Sequence, residues 1–171
     1  MPLTYIKIAS VTVGAGGAST IDITNIPGTY TDLVLFLSLK SERNTQYDYP
    51  EIRFNDSTTS YSDRYIYGNG SSAASDTNTL IDYVIMGSAS GTTTALVFSN
   101  DCIYIPNYTS SNNKSVSLDT AAEVNATTNY MQLHAGLWSN TAAITKITIR
   151  NQFSLDWQEF STATLYGISK S

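Results

Sequence analysis

The sequence predicts an all-β fold, an antiparallel two-sheet sandwich of the jelly-roll type that spans residues 1–171 as a single domain. Charged residues make up 13% of the chain, about half the usual share of roughly 25%. Ser, Thr and Asn take their place, which suits the surface of a β-sheet. Apolar residues recur with a period of two or in short runs between turn residues, and no segment carries the apolar stripe of a helix.

The first strands follow from this alternation. Residues 3–13 predict one strand with a bend, and Ile21 begins a second strand. The four leucines of Leu33–Leu39 share one face of a third strand, with Val34 and Phe36 on its other face. Because both faces are apolar, this strand is expected to be central in its sheet.

Further strands lie between turn signals along the rest of the chain. The segments 115–124 and 130–138 predict a long hairpin, and the segment 68–78 predicts an exposed loop because it has almost nothing to bury. In segment 130–138, we expect Met131, Leu133, Ala135 and Leu137 to face the core and Gln132, His134 and Gly136 to face solvent. The further predicted strands are Glu51–Phe54, Tyr61–Tyr67, Asp82–Met86, Ala95–Ile105, Ser115–Val124, Tyr130–Trp138, Ile144–Arg150 and Phe160–Ile168.

Charge argues against two classes of partner. The net charge is −5, and the nine basic residues are scattered singly, so no basic stripe is present to neutralise a nucleic-acid backbone. No apolar run is long enough to cross a bilayer.

The first residues lack the basic region and apolar core of a signal peptide, so we expect synthesis in a cytoplasm.

The sequence offers little for common catalytic and metal sites. His134 is the only histidine and Cys102 the only cysteine, so they cannot supply the three or four ligands of a zinc site. Any Ser-His-Asp triad would have to use His134, which is expected in the middle of a strand, and the sequence has no Gly-x-Ser-x-Gly motif. We expect Cys102 to be a packed strand residue and the protein to use no cofactor. Asp156 and Glu159, on either side of Trp157, are the most suggestive carboxylate pair for a glycosidase. Small sandwiches with scattered surface acids are mostly non-catalytic, so we expect no enzyme.

Calcium binding is an alternative that the sequence leaves open. Asn55 and Asp56 precede a Ser/Thr loop, and Asp63 follows it. Oxygen ligands in loops are what calcium prefers, but no run of alternating acids accompanies them.

Tyrosines provide the best candidate contact surface, because they are concentrated between residues 47 and 83. Alternation along a strand places Tyr61, Asp63, Tyr65 and Tyr67 on one face. Such a face can stack on a sugar, anchor a protein interface, or simply pack across strands. The candidate contact residues are Tyr47, Tyr49, Tyr61, Asp63, Tyr65, Tyr67 and Trp157.

Several segments resemble small Ser/Thr-rich virion structural proteins of tailed phages that infect aquatic bacteria and cyanobacteria. They occur from residue 8 to residue 168, so the resemblance extends over nearly the whole chain. The segments are Ile8–Ser19, Ile26–Leu33, Tyr67–Ser72, Ile105–Ser110, Ala135–Ile144 and Ser161–Ile168.

The resemblance implies a non-enzymatic protein on the surface of the phage particle, made in the host cytoplasm and located in the virion. The absence of coiled-coil heptads and fibrous repeats favours a capsid decoration (cement) protein. The alternative is a tail- or fibre-associated module that binds host surface carbohydrate. The expected partners are the major capsid protein or tail components and further copies of the chain, with a homotrimer favoured.

Overall fold

The computed structural model describes residues 4–85, 97–124 and 129–169, and these residues form twelve β-strands and no helix. The predicted strand ends at Leu3, Met86 and Ala95, and the turn around residues 125–128, lie outside the described residues. The strands are β1 (Tyr5–Thr12), β2 (Thr20–Ile23), β3 (Asp32–Ser38), β4 (Pro50–Phe54), β5 (Tyr61–Gly68), β6 (Ala73–Ile81), β7 (Val84–Ile85), β8 (Asn100–Ile105), β9 (Lys114–Ala121), β10 (Met131–Trp138), β11 (Ile147–Asn151) and β12 (Thr162–Ile168).

The strands form two antiparallel sheets, which confirms the predicted sandwich. The larger sheet has the order β1-β12-β3-β8-β9-β10-β5-β6, and the smaller has the order β2-β11-β4-β7. The pairs β1–β12, β2–β11, β3–β8 and β4–β7 are nested along the chain and alternate between the two sheets. This is the strand arrangement of an eight-stranded jelly roll.

Two inserted hairpins enlarge that jelly roll. The hairpin β5–β6 lies between β4 and β7 in the chain, and the hairpin β9–β10 lies between β8 and β11. They pair with one another through β10 and β5, and β9 pairs with β8, so the larger sheet grows from four strands to eight. We call these four added strands the extension. β7 of the smaller sheet contacts β5 and β10 of the extension.

The core lies between the sheets and follows the predicted alternation in β3. Leu33, Leu35 and Leu37 are buried, as is Leu39 just beyond the strand. β3 pairs with β12 on one side and β8 on the other, which confirms its central position. Val34 is also buried, but Phe36 on the same outer face is 42% exposed. The outer face of this sheet is therefore only partly covered.

The predicted facing of β10 is wrong. Gln132, His134, Gly136 and Trp138 face the core, whereas Met131 and Leu133 are 67% and 53% exposed. Side chains alternate strictly along a strand, so one dominant residue fixes the facing of all the others. Trp138 is that residue, because its ring stacks on buried Tyr61 with centroids 6.0 Å apart. An indole buries more apolar surface than the Met or Leu side chains that alternate with it.

The structure also differs from the exposed loop that was predicted for residues 68–78. Gly68 ends β5, only residues 69–72 form the connection, and β6 begins at Ala73 and pairs with β5. Asn69 Oδ1 accepts the backbone N–H groups of Ser71 and Ser72 at 3.0 and 2.9 Å, which closes the turn. The first residues of β6 are exposed on both faces, so the strand has no apolar alternation to reveal it. Backbone pairing at the edge of the sheet defines it instead.

Candidate functional site

The outer face of the larger sheet carries most of the large apolar side chains that are exposed. Eight such side chains are exposed among the described residues, and six of them lie on this face. Isolated apolar residues are normal on a protein surface, but a concentration on one face indicates a contact surface. The six are Tyr5, Phe36, Ile66, Tyr104, Met131 and Leu133.

Three of these side chains lie on the extension, where they line an open groove. Leu133 on β10 lies opposite Ile66 on β5, and Met131 lies opposite Gly68 in the adjacent pair. Gly68 leaves the space beside Met131 free of any side chain. A depression of about 770 Å³ results. We call it the outer groove; its outward-facing residues are Ile66, Gly68, Ala73, Ser75, Asn100, Asp119, Ala121, Met131 and Leu133.

Two opposite charges lie on either side of β10, at the Leu133 end of the outer groove. Asp119 on β9 is opposite Leu133, and Arg64 on β5 is opposite Ala135, one pair further along β10. Both charged side chains are exposed. Neither forms an ion pair with any residue that the structure describes. Both charges are therefore available to a partner on this face.

A second apolar cluster lies on the same face at the opposite end of the sheet. Tyr166 on β12 makes edge contacts with Tyr5 and Phe36, with ring centroids 6.2 and 5.9 Å apart. Nearby on β8, Tyr104 donates its hydroxyl to Asp32 Oδ2 at 2.8 Å. This cluster is aromatic, whereas the outer groove is aliphatic, so the face offers two chemically different contact areas.

A continuous aromatic row begins on the inner face of the extension and continues beyond it. Tyr67 on β5 contacts Tyr130 at 5.6 Å between ring centroids, Tyr130 contacts Tyr47 at 4.7 Å, and Tyr47 contacts Tyr49 at 5.5 Å. At one end, Tyr65 contacts Tyr67 at 6.0 Å. The row in order is His134, Tyr65, Tyr67, Tyr130, Tyr47, Tyr49 and Phe153.

An arginine ends the aromatic row. The Arg43 guanidinium lies 3.8 Å from the centroid of the Phe153 ring and 5.9 Å from that of Tyr49, distances typical of cation–π contacts. It also pairs with buried Asp48 at 3.6 Å. Phe153 is 46% exposed and the tyrosines of the row are half-buried, so edges of several rings reach solvent.

The structure brings together only part of the predicted tyrosine site. Tyr47, Tyr49, Tyr65 and Tyr67 all belong to the aromatic row, but Tyr61, Asp63 and Trp157 do not. Tyr61 is buried against Phe54 and Trp138, and its hydroxyl accepts the Phe54 N–H at 2.8 Å. These three residues are at most 2% exposed, so they serve the interior.

Asp63 and Trp157 have clear interior partners. The Asp63 carboxylate accepts a hydrogen bond from Asn78 Nδ2 at 2.8 Å, across the β5–β6 pair. Trp157 bridges the backbones of Ala18 and Ser41. Its indole N–H points to Ile149 O at 3.4 Å.

Sequence reasoning missed Tyr130, Phe153 and Arg43. Tyr130 immediately precedes β10 and Phe153 closely follows β11, so both are distant from the tyrosine-rich segment along the chain. Their only signal is an aromatic residue at a strand end. That signal does not show which strand ends meet.

Burial keeps four ionisable groups of the row neutral. Burial raises the pKa of Tyr49, Tyr65 and Tyr130, and burial lowers the pKa of His134 to about 4. His134 Nε2 lies 2.8 Å from Gln132 Oε1, and its Nδ1 has no hydrogen-bond partner among the described residues. The imidazole therefore acts as a flat, uncharged packing surface for Tyr65.

One carboxyl is buried without a cation beside it. Asp101 on β8 is 1% exposed and accepts hydrogen bonds from Ser99 Oγ, at 2.7 Å, and from Thr120 Oγ1. The pKa of Asp101 is raised to about 7, mainly by burial; the Thr120 and Ser99 hydroxyls act to lower it, and the nearby Asp119 charge acts to raise it. This carboxyl changes charge near neutral pH.

The residues considered for calcium are used for other contacts. Asn55 Oδ1 accepts the backbone N–H groups of Thr145 and Lys146 at 2.8 and 3.0 Å. Asp56 pairs with Lys146 Nζ at 2.7 Å. Among the described residues, no group of three or more acidic, histidine or cysteine side chains could hold a metal ion.

No protein-family model matches this chain, and neither a curated protein nor a solved structure is significantly similar to it. Within residues 4–85, 97–124 and 129–169, no helix could cross a membrane. The function of this protein is therefore inferred from its own sequence and structure.

Proposed function

We propose that this protein is a non-enzymatic structural component of the surface of a tailed-phage particle, made in the host cytoplasm and acting as a capsid decoration protein. The observation that carries the proposal is the open outer face of the larger sheet, with its six exposed large apolar side chains. A decoration protein needs such a contact face on a rigid body. Its partners are the major capsid protein, or tail components, and further copies of the chain.

The energetics favour covering this face. Full burial of one Ile, Leu or Met side chain contributes about 1.5–3 kcal/mol. Ile66, Leu133 and Met131 are each more than half exposed, at 57%, 53% and 67%. Covering all three contributes several kcal/mol, which helps to offset the entropy lost on association.

The interior residues support a structural role. The one histidine is buried, neutral and stacked on Tyr65. Buried Asp48 accepts a hydrogen bond from Asn151 Nδ2 and pairs with Arg43, which packs on Phe153. These polar side chains hold the fold together.

Purified phage particles provide the test. Mass spectrometry and cryo-electron microscopy would give the copy number: we expect hundreds of copies on the head of each particle. If only a handful of copies were found, at the tail, the protein would be a tail module rather than a decoration protein. Absence from purified particles would overturn the proposal.

A paired set of variants would test the contact face itself. In Leu133→Thr and Ile66→Thr, an exposed apolar side chain becomes polar, and we expect less protein on particles. Phe160→Asn is the control, because Phe160 is 66% exposed, lies outside the sheet and has a φ of 71°, which Asn tolerates better than Thr. Equal incorporation of all three variants would argue against this face as the contact.

The aromatic row favours a second candidate function, host-glycan binding by a tail-associated module. Sugar rings stack on aromatic side chains, and the partly exposed tyrosines beside Arg43 supply both stacking and polar contacts. A glycan array with wild type would detect this binding, and Tyr47→Ala should abolish it. Tyr166→Ala, which removes an aromatic ring from the outer face, is the control and should leave it intact. A negative array for wild type would remove this candidate.

A further inference from the structure

We infer that the outer face of the extension, including the outer groove, is the contact surface of a two-fold symmetric homodimer, in which Arg64 of each copy pairs with Asp119 of the other. This inference deepens the proposed function. It rests on that proposal in one respect: both treat this face as a contact surface. The partner is a second copy of this chain.

The strand register places the charges around an apolar centre. Leu133 and Ala135 are successive outward residues of β10, with Asp119 beside Leu133 on β9 and Arg64 beside Ala135 on β5. The two charges are therefore diagonally opposed across β10. A two-fold axis that lies in the plane of the contact and passes between Leu133 and Ala135 brings each charge opposite its counterpart in the second copy.

Charge complementarity selects this partner. A two-fold contact is isologous, so the patch must complement itself, and a patch with one positive and one negative group on either side of an apolar centre does so. Both groups are exposed, and neither is in an ion pair within the described residues. The chain carries a net charge of −5, so two copies repel in most orientations. Arg64 offsets that repulsion at this contact.

The size of the face is consistent with a dimer. β8, β9, β10, β5 and β6 lie side by side. Strand spacing of about 4.8 Å and a rise of about 3.4 Å per residue give a flat area of about 650 Å² for five strands of eight residues. Side-chain relief adds to this area. A standard interface buries about 800 Å² of each partner.

The contact joins copies in pairs. An isologous patch is fully used once two copies meet, so it does not close a ring of three. The trimer favoured by the sequence would require a head-to-tail contact between two different surfaces. The stoichiometry in solution therefore separates the two arrangements.

Sedimentation equilibrium of the purified full chain over a range of concentrations tests the inference, with thermal unfolding to confirm that each variant folds. We expect wild type to be dimeric. Arg64→Glu and Asp119→Arg should each weaken dimerisation at least tenfold, because like charges then face each other. The double variant should regain most of the affinity, because the pair is restored with the charges exchanged.

Lys7→Glu is the matched control, because Lys7 is an exposed outward residue of β1 at the opposite edge of the same sheet. It makes the same change in net charge as Arg64→Glu and should leave the dimer unchanged. A monomeric or trimeric wild type would overturn the inference, as would a double variant no tighter than the single ones. This experiment uses only purified protein. A monomeric wild type would therefore overturn the dimer but not the proposed function, which the particle experiments test separately.

Discussion

Tyr65 and His134 face each other across the β5–β10 pair with their rings nearly parallel, 14° apart, and their centroids 4.7 Å apart. The stack places the one imidazole of the chain inside the extension. Burial keeps it neutral there. The same residue begins the aromatic row, so the packing of the extension and the arrangement of the row depend on one another.

His134 should make the protein less stable in acid. Burial lowers the pKa of His134 from 6.5 to about 4, so between these values the unfolded chain holds a proton that the folded chain lacks. Stability is therefore lost as the pH falls from about 6.5 to about 4, by an amount on the order of 3 kcal/mol. Asp101 titrates over the same range in both proteins, so the effect of His134 is the difference between wild type and His134→Phe, which keeps an aromatic ring but does not titrate. In urea unfolding, wild type should become less stable relative to His134→Phe when the pH is lowered from 7.5 to 4.5. An NMR titration of His134 with a midpoint near 6.5 would contradict it.

Asp101 should have the opposite effect. Burial raises the pKa of Asp101 from 3.8 to about 7, so over this range the folded chain holds a proton that the unfolded chain has released. The contribution is complete below about pH 4 and is lost as the pH rises through about 7, by an amount on the order of 4 kcal/mol.

Asp101→Asn tests that contribution because the amide is neutral at every pH. The variant should unfold at a higher temperature than wild type at pH 8.5 and at a similar temperature at pH 4.5. Asp119→Asn is the control, because Asp119 is exposed and its loss removes only a neighbouring charge. An equal shift of Asp101→Asn at both pH values would show that the carboxyl does not titrate in this range.

Gly136 should not tolerate a larger residue. A Cβ at this position would lie 2.7 Å from Val116 Cγ2 and 2.8 Å from Val84 Cγ1, both in buried valines. Gly136→Ala should destabilise the fold by about 1–3 kcal/mol, measured by denaturant unfolding. Gly68→Ala is the matched control, because Gly68 is also in a strand of the extension and has nothing within 4 Å of an added Cβ. Equal stability of the two variants would contradict this packing.

Lys114 should stabilise the turn before β9 through its buried ammonium. Its Nζ donates to Ser110 O at 2.8 Å, to Asn112 O at 2.6 Å and to Asn140 O at 3.4 Å. Lys114→Met keeps the aliphatic stem but leaves these carbonyls without their donor, at a cost of about 2–4 kcal/mol. Lys7→Met, at an exposed position, should change stability by less than about 0.5 kcal/mol. Thermal unfolding of the pair would decide this, and a similar melting temperature for both would contradict it.

The fold was predictable where local signals agree. The alternation of Leu33, Leu35 and Leu37 identified a central strand, and two regular segments around residue 125 identified the β9–β10 hairpin. The facing of β10 was not predictable, because its two faces look equally plausible from its own residues. Trp138 fixes the facing through its stack on Tyr61, and that contact depends on the pairing of β10 with β5.

The candidate site was predictable only in composition. Tyr47, Tyr49, Tyr65 and Tyr67 do meet, as their density along the chain suggested. Tyr61, on the same face of β5, lies in the core instead, because it is at the covered end of the strand beside Trp138. The exposed outer groove was missed altogether. It follows from the facing of Met131 and Leu133, which was assigned inward.

The two inserted hairpins have a consequence for how this protein can change over evolution. The eight strands of the jelly roll close upon themselves in nested pairs and need neither hairpin to complete that pattern. Most of the outer groove, the two charges beside β10 and three of the seven residues of the aromatic row lie on the inserted strands. Substitution of their outward-facing residues can therefore alter what the protein recognises, while Tyr61 and Trp138 on the same strands stay packed on Phe54 of the roll. For protein engineering, these outward-facing positions are the ones to vary.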